Sequence, residues 1–227
     1  TAGQDLYNQA TANKGILAGG LLNLNVGNVD NQQGAILSGQ SAQIAAQSIN
    51  NGSGNIQSVA SLDLNVQADV DNQAGSILAG EILNIQAQTI NNSSTQGSGQ
   101  GLQGQSINVQ AVSLDNQQGS IVADENATLK LTNTLDNRKG KITAAKQLSI
   151  SGQSGALAST LNQQGDLIAG ELLQINTQTL DNAEGKIQSL GSLDASIGSD
   201  FHTAKGKIEA NGDAHLNING TLTNSDS

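Results

Sequence analysis

The 227-residue sequence has no cysteine, proline, methionine or tryptophan, and it has one tyrosine, Tyr7, and one phenylalanine, Phe201. Without cysteine, disulfide bonds and thiol-bound metal are excluded. Aromatic rings usually supply much of the buried area of a globular core, so a core in this chain has to be built from aliphatic side chains. The absence of proline leaves every residue able to donate a backbone hydrogen bond, as strands with a neighbour on each side require.

Positive charge and long apolar runs are also scarce. The chain has 9 Lys and Arg residues against 19 Asp and Glu residues, a formal net charge of -10. This balance disfavours nucleic acid and anionic membranes as partners, because both are bound through Lys and Arg. No stretch approaches the roughly 20 apolar residues of a membrane helix, and Thr1 begins nothing that resembles a signal peptide. We therefore expect the chain to be a fragment of a longer protein.

The sequence is rich in one repeated phrase. "LDNQQGSIVA", residues 114–123, has near copies that begin at Val29, Val70, Leu135 and Leu180. When a glycine is taken as position zero of each unit, ten units follow at intervals of 19 to 25 residues. These glycines are Gly15, Gly34, Gly54, Gly75, Gly97, Gly119, Gly140, Gly165, Gly185 and Gly206. Self-similarity at such a period is typical of solenoid proteins.

Aliphatic residues recur at fixed offsets inside each unit. Further along each unit, apolar residues alternate with polar ones, as in Leu62, Leu64 and Val66, and a last apolar residue such as Val70 precedes the next Asp-Asn. This alternation predicts short strands with one buried face, whereas the three-to-four spacing of a helix is missing. The residues two positions after the glycines are Leu17, Ile36, Ile56, Ile77, Ile121, Ile142, Leu167, Ile187 and Ile208.

A single unit of about 20 residues cannot fold alone, because its few buried aliphatic side chains do not offset the entropy of ordering it. Stacking like units buries both faces of each one and pairs every strand. The predicted fold is therefore all-β: one parallel β-helix (solenoid) over residues 1–227, with about ten coils of roughly 20 residues and a length of roughly 50 Å.

Asparagine precedes the glycine by three residues in most units. Stacked copies are predicted to hydrogen-bond along the rod through their amides, as in cross-β ladders. We expect the glycine to permit a backbone conformation that a Cβ would forbid. The asparagines are Asn31, Asn51, Asn72, Asn116, Asn137, Asn162 and Asn182.

The signature [Leu/Val/Ile]-[Asp/Asn]-Asn-x-x-Gly-x-Ile, with Leu-x-[Leu/Ile]-x-[Val/Ala] strands between copies, resembles the haemagglutinin repeats of filamentous haemagglutinin-like exoproteins. The resemblance implies a right-handed parallel β-helix, exported by an outer-membrane two-partner secretion transporter and displayed at the bacterial cell surface. The family includes adhesins with roles in virulence and the stalks of contact-dependent growth inhibition toxins. It implies a structural rod segment, not an enzyme, with no cofactor.

Two stretches depart from the repeat. Residues 93–104 place Gly99 where isoleucine is expected, and residues 151–160 belong to a unit with about four extra residues, in which Leu161 lies one residue closer to its glycine than usual. Both stretches are predicted to be loops on the wall of the rod. An alternative function is recognition of a glycan, a host receptor or a target-cell receptor by these loops, since loops carry function more often than the scaffold does.

Aspartates occupy one offset, just before the asparagine, in five units. A stacked carboxylate column could bind calcium or form the acid/base pair of a polysaccharide-cleaving β-helix enzyme. We favour turns capped by Asp side chains, because the calcium-binding GGxGxDxUx pattern is missing. No catalytic, cofactor or metal site is therefore predicted. The aspartates are Asp30, Asp71, Asp115, Asp136 and Asp181, and Asn50 and Asn91 take the same offset.

The remaining candidates are isolated. His202 takes the offset of the aspartates and His215 lies at an outward offset, so both are predicted to be solvated, while Phe201 takes an apolar offset and is predicted to be core. Lysines near the glycine corners could form a basic stripe for acidic glycans, although such residues more often prevent unwanted strand pairing. The lysines are Lys139, Lys141, Lys146, Lys186, Lys205 and Lys207.

Overall fold

The computed structural model describes residues 3–11 and 14–225, and these residues form β-strands and no helix. None of this part of the chain could therefore span a membrane as a helix. In chain order the strands are β1 (Leu6–Tyr7), β2 (Ile16–Ala18), β3 (Leu22–Asn25), β4 (Asn28–Asp30), β5 (Ala35–Ser38), β6 (Ala42–Ala46), β7 (Ser48–Asn50), β8 (Asn55–Ser58), β9 (Leu62–Val66), β10 (Asp69–Asp71), β11 (Ser76–Ala79), β12 (Ile82–Gln86), β13 (Thr89–Asn91), β14 (Gly101–Asp115), β15 (Ser120–Asp136), β16 (Lys141–Ala144), β17 (Gln147–Gly152), β18 (Leu157–Leu161), β19 (Asp166–Ala169), β20 (Leu172–Asp181), β21 (Lys186–Ser189), β22 (Ser192–Ile197), β23 (Phe201–His202), β24 (Lys207–Ala210), β25 (Ala214–Ile218) and β26 (Leu222–Thr223).

Each coil contributes three strand segments, and each segment pairs in parallel with its equivalents in the coils before and after it. The first stack contains β4, β7 and β10, the second contains β5, β8 and β11, and the third contains β6, β9 and β12. The long strands β14, β15 and β20 pass through the bends and take part in more than one stack. The predicted parallel β-solenoid of about ten turns is confirmed.

Like residues lie above like residues throughout the rod. Ile36 pairs with Ile56 and Ile56 with Ile77, and the same column continues through Leu102 to Ile208. The inward side chains form one aliphatic cluster that runs through successive coils. Phe201 is buried in line with Leu180 and Leu222, as the sequence predicted. The core is thus built mainly by repetition of aliphatic side chains.

The first unit departs from the predicted register. Ile16, and not Leu17, pairs with Ile36, and Leu17 is 59% exposed. The corner of this coil is Ala10, with φ 51°, so the glycine position belongs to Thr11 and not to Gly15. Additional residues follow Thr11 before β2 begins, and they shift the assignment made from Gly15.

The glycines are needed for close approach between coils and not, as predicted, for an unusual backbone conformation. The left-handed residue of each corner is the one before the glycine, such as Gln118 (φ 51°) or Lys139 (φ 56°). A Cβ on Gly140 would instead overlap the carbonyl oxygen of Asn116 in the preceding coil, and Gly75 meets Asn51 in the same way. In a regular corner, where the next strand follows directly, only a residue without a Cβ fits at strand spacing.

A ladder of buried asparagine amides follows the glycine corners. Each Nδ2 donates to the Oδ1 of the next asparagine at 2.6 to 2.8 Å, from Asn8 to Asn182, and Asn182 Nδ2 lies 3.4 Å from Thr203 Oγ1. The same amides reach backbone carbonyls, as Asn51 does to Ser76 at 3.0 Å. Since these side chains are almost fully buried, each pair satisfies groups that would be costly to bury alone. The predicted ladder is confirmed, and it includes Asn8 and Asn92.

Replacement of Gly140 by alanine is expected to lower the free energy of unfolding by about 1–3 kcal/mol, because the new methyl group overlaps backbone that cannot move without separating two coils. Chemical denaturation measures the change. Gly20→Ala is the control, since a Cβ there meets no atom within 4 Å, and its effect is expected to stay within about 0.5 kcal/mol. Equal effects of the two variants would contradict the steric explanation.

Replacement of Asn137 by alanine is expected to lower the free energy of unfolding by about 2–4 kcal/mol. The change removes the acceptor of Asn116 Nδ2 and the donor to Asn162 Oδ1, so two buried polar groups lose their partners. Asn108→Ala is the matched control, because the Asn108 amide also stacks on a neighbour, Asn84, but is exposed. Similar denaturation midpoints for the two variants would show that burial of the ladder is unimportant.

Candidate functional site

The aspartate column lies on the outer side of the first stack, and its side chains accept hydrogen bonds within local turns. Asp115 Oδ1 accepts the backbone N–H of Gln117 at 2.8 Å, and Asp71 Oδ1 that of Gln73 at 3.0 Å. Asp30, Asp136, Asp181, Asn50 and Asn91 make the same bond two residues on. The interpretation as capped turns is confirmed. Residues 3–11 and 14–225 contain no group of three or more His, Asp or Glu side chains arranged to hold a metal ion.

The charged partners of this column are exposed. Arg138 Nη2 lies 2.6 Å from Asp136 Oδ2, and this side-chain hydrogen bond raises the pKa of Arg138 above its ordinary value. His202 Nδ1 lies 3.1 Å from Asp181 Oδ1, with the His202 side chain 45% exposed. His215 is exposed in the third stack, whereas His202 belongs to the first. The two histidines are therefore on different faces and form no dyad.

The lysines form no continuous basic stripe, because acidic residues lie between or beside them. Lys141 and Lys186 flank Asp166 in the second stack. Lys146 Nζ lies 2.9 Å from Glu125 Oε1, and this hydrogen bond raises the pKa of Lys146. Lys207 pairs with Glu209, and Lys139 and Lys205 occupy left-handed corner positions.

The first insertion is shorter than predicted and comprises residues 96–100. The corner before it is regular, with Ser94 at φ 58°, and strand β14 resumes at Gly101. Leu102 fills the buried apolar position and is fully buried, so the column that was expected to break at Gly99 is complete. The assignment of Gly97 as position zero was wrong, because Thr95 holds that place.

Thr95 takes the place of the corner glycine where the chain leaves the rod. In a regular coil the backbone N–H after the next glycine donates to the preceding glycine carbonyl, as Lys141 does to Gly119 at 2.8 Å. At the insertion, Thr95 Oγ1 accepts this bond from Ser120 at 3.0 Å. Thr11 accepts the equivalent bond from Ala35 at 3.1 Å, beside the other corner that is followed by additional residues. In the sequence, the pattern Asn-x-x-Thr in place of Asn-x-x-Gly marks both of these corners.

Glutamine side chains hold the first insertion against the wall of the rod. Gln100 Nε2 donates to the carbonyl oxygen of Ala74 at 2.9 Å, and Gln96 Nε2 donates to that of Lys139 at 2.6 Å. These two acceptors are corner residues of different coils, on either side of the insertion. The loop therefore lies along the rod axis, as the sequence predicted for a loop on the wall.

The second insertion comprises residues 153–156, between β17 and β18, and is again narrower than the predicted 151–160. Gly152 and Gly155 form an antiparallel bridge at its base. Gln153 Nε2 donates to the carbonyl oxygen of Ala111 at 2.9 Å, and Gln153 Oε1 accepts from Gln110 Nε2 at 3.3 Å. The insertion thus turns back over two coils of the third stack.

A buried threonine completes the core beside this insertion. Thr160 pairs with Leu135 and Leu180 and takes the apolar position, while Leu161 joins the outer column of aspartates. The hydroxyl of Thr160 lies 3.3 Å from that of Thr177, which is also buried. The displaced Leu161 seen in the sequence is thus accommodated without a gap in the core.

The outer face of the third stack carries a polar groove, named here the amide groove. It consists of three depressions of about 510, 350 and 270 Å³. They are lined by residues 23–25, 43–45, 63 and 65; by residues 84–85, 108–110, 128 and 130; and by residues 149–151, 174–176, 194 and 196. Together they cover nine successive strands of the stack. Sequence reasoning missed this groove, although most of its residues are the polar members of the alternating strands.

The sequence matches one family of repeats. The family model described as haemagglutinin repeat matches residues 1–74 and 126–226, and the first insertion lies in the unmatched part. No curated protein and no solved structure matches the chain.

Replacement of Thr95 by valine, which keeps the side-chain shape, is expected to lower the free energy of unfolding by about 1–3 kcal/mol, because the Ser120 N–H loses its acceptor, the hydroxyl of the fully buried Thr95. Denaturation and amide hydrogen exchange of Ser120 measure the effect. The exposed Thr132→Val is the control and is expected to stay within about 0.5 kcal/mol. Unchanged protection of Ser120 in Thr95→Val would refute the role given to the hydroxyl.

Proposed function

Since the chain belongs to the haemagglutinin repeat family, we propose that it is a structural rod segment of a secreted bacterial protein displayed at the cell surface. The protein would be an adhesin or a contact-dependent growth inhibition toxin-delivery protein. The rod would hold the adhesive or toxic parts of that protein at a distance from the cell surface. The observation that carries this proposal is the stacking of equivalent residues, in which the strand pairing and the amide ladder continue past both insertions.

A rod of this construction suits a mechanical role. Its backbone hydrogen bonds and its amide ladder run along the axis, so bending the rod strains many of these bonds together. Each coil contacts mainly its neighbours, so length scales with the number of repeats. The family is a structural and adhesin family and not an enzyme family, and the aspartates that could have served catalysis accept hydrogen bonds within their own turns.

Residues 1–227 would then be one β-helix segment of a longer exoprotein, and an outer-membrane two-partner secretion transporter would be its export partner. The uninterrupted aliphatic cluster supports treating the described coils as one unit. The lack of cysteine is compatible with export in an unfolded state, because no disulfide can form before translocation.

A second candidate function is glycan or receptor binding through the insertions. Residues 96–99 and 153–155 are exposed, and their conformation is not dictated by the repeat. Gln96, Gln100 and Gln153 nevertheless bond to the rod itself, which leaves few side chains of these loops free for a partner. The rod function is therefore the first proposal.

Antibodies raised against this chain are expected to label intact cells of the producing bacterium. Labelling should disappear when the partner transporter gene is deleted, while the chain accumulates inside the cell. Flow cytometry of intact and permeabilised cells provides the measurement. Labelling that requires permeabilisation in the parent strain would refute surface display.

Removal of one whole coil tests the rod itself. Deletion of residues 116–136 joins Asp115 to Asn137, which is the ladder equivalent of Asn116, so register is kept. We expect cooperative thermal unfolding and surface labelling to persist. The control deletion of residues 116–125 removes a corner without restoring register and is expected to abolish both. Equal behaviour of the two deletions would contradict the modular rod.

A further inference from the structure

We propose that the amide groove binds a linear, neutral glycan along the rod axis, with its main site above Ala45. This inference rests on the proposed function, since it names a partner class for a surface-displayed rod. It moves recognition from the insertions to the outer face of the third stack.

The largest of the three depressions, about 510 Å³, lies where the repeat places a small side chain. Ala45 lies in register between Asn25 and Asn65, so a methyl group stands between two amides. A fourth depression, of about 320 Å³, adjoins the 510 Å³ depression, and these same three residues line both. Gln43 and Gln47 extend the polar lining along the strand on both sides. The result is an open cavity with an aliphatic floor and a rim of primary amides.

The amides of the groove retain hydrogen-bonding capacity after they bond to one another. Asn108 Nδ2 donates to Asn84 Oδ1 at 2.9 Å, and Asn84 Nδ2 donates to Asp63 Oδ1 at 2.6 Å. An amide has two N–H groups and an oxygen with two lone pairs, so each bond of this ladder uses only part of that capacity. The remaining donors and acceptors recur at strand spacing, about 4.8 Å. Sugar hydroxyls, which both donate and accept, match such a surface.

The backbone and the charges argue against other polymers. The backbone groups of the third stack pair with the neighbouring coils, so a peptide cannot bind this face by adding a strand. The charged residues that line the three depressions are Asp63, Lys130 and Asp194. Two carboxylates and one ammonium group over nine strands create no positive electrostatic potential that would attract an anionic chain. A neutral, hydroxyl-rich chain is the ligand class that remains.

The groove has no aromatic side chain on which a sugar ring could stack, and this limits the affinity for each sugar unit. The side chains of Tyr7 and Phe201, and the imidazole rings of His202 and His215, do not line the groove. Each sugar unit would therefore be held by hydrogen bonds of modest net strength. Useful affinity has to come from many units bound at once, as in multivalent binding. A linear glycan parallel to the axis meets this requirement because the three depressions follow one another.

The second insertion lies beside the middle and last depressions of the groove. Gln153 bonds to Gln110, which lines the middle depression, and Ser151 of the same coil lines the last one. The insertion thus forms a side wall on the path of the ligand. This position gives the irregular segment a role in guiding a chain along the groove.

Titration of the full chain with unbranched neutral oligosaccharides tests the proposal. The probes are cello-, chito- and manno-oligosaccharides, from disaccharide to octasaccharide, and the readout is the side-chain amide signals of the ¹⁵N-labelled protein. We expect shifts of the groove amides in at least one series, with affinity that increases with length. Ala45→Gln fills the depression and is expected to weaken binding about fivefold or more, the loss of about one net hydrogen bond.

Ser48→Gln is the matched control, because it adds the same side chain in the same coil on the outer side of the first stack. It is expected to change affinity by less than about twofold, a small part of one hydrogen bond. Asn65→Ala provides a second groove variant if Ala45→Gln unfolds, and circular dichroism reports the fold of each. Absence of shifts with every neutral series, equal loss in Ser48→Gln, or binding only to acidic polysaccharides or peptides would overturn the proposal. None of these outcomes affects the surface-labelling test of the rod function.

Discussion

Parallel stacking of like residues, one strand spacing apart, is the interaction on which this structure depends. It allows amides to be buried inside an aliphatic rod, because each asparagine finds its partner in the identical asparagine of the next coil. The same requirement makes Gly140 and the other glycines of regular corners necessary, since a Cβ there would overlap a carbonyl oxygen of the preceding coil. It also accounts for the absence of proline, which could not donate to the coil beside it. Composition, corner chemistry and core thus share one cause.

The rod tolerates irregularity because each exit from the repeat has a local replacement for the bonds that it removes. Thr95 supplies a hydroxyl where a glycine carbonyl would have accepted a hydrogen bond. Gln100 and Gln153 return the inserted residues to carbonyls of other coils. The interior is therefore constrained by periodicity, while the outer faces are free to vary. A surface protein can change what it presents in this way without changing how it folds.

Most of the architecture was predictable, and the errors have identifiable causes. The column from Ile36 to Ile208 and the amide ladder follow from residue type at constant offset. Gly15 and Gly97 were misassigned because each stands near the expected interval, whereas the chain had already passed its corner at Thr11 and Thr95. The role of the glycines was misread because steric contact with another coil leaves no mark on the local sequence. The aspartate turns were predicted correctly because their bonds reach only two residues along the chain.

Periodicity along the chain was sufficient to establish the strands, the aliphatic interior and the stacking, because alternation and recurrence are properties that a linear sequence contains. The amide groove, the depression above Ala45 and the hydrogen bond between Gln153 and Gln110 could not be read from it. These features arise between residues of different coils, whose separation in space is set by the winding of the backbone. Stacking places them side by side, and the outward side chains then meet in combinations that no single repeat contains.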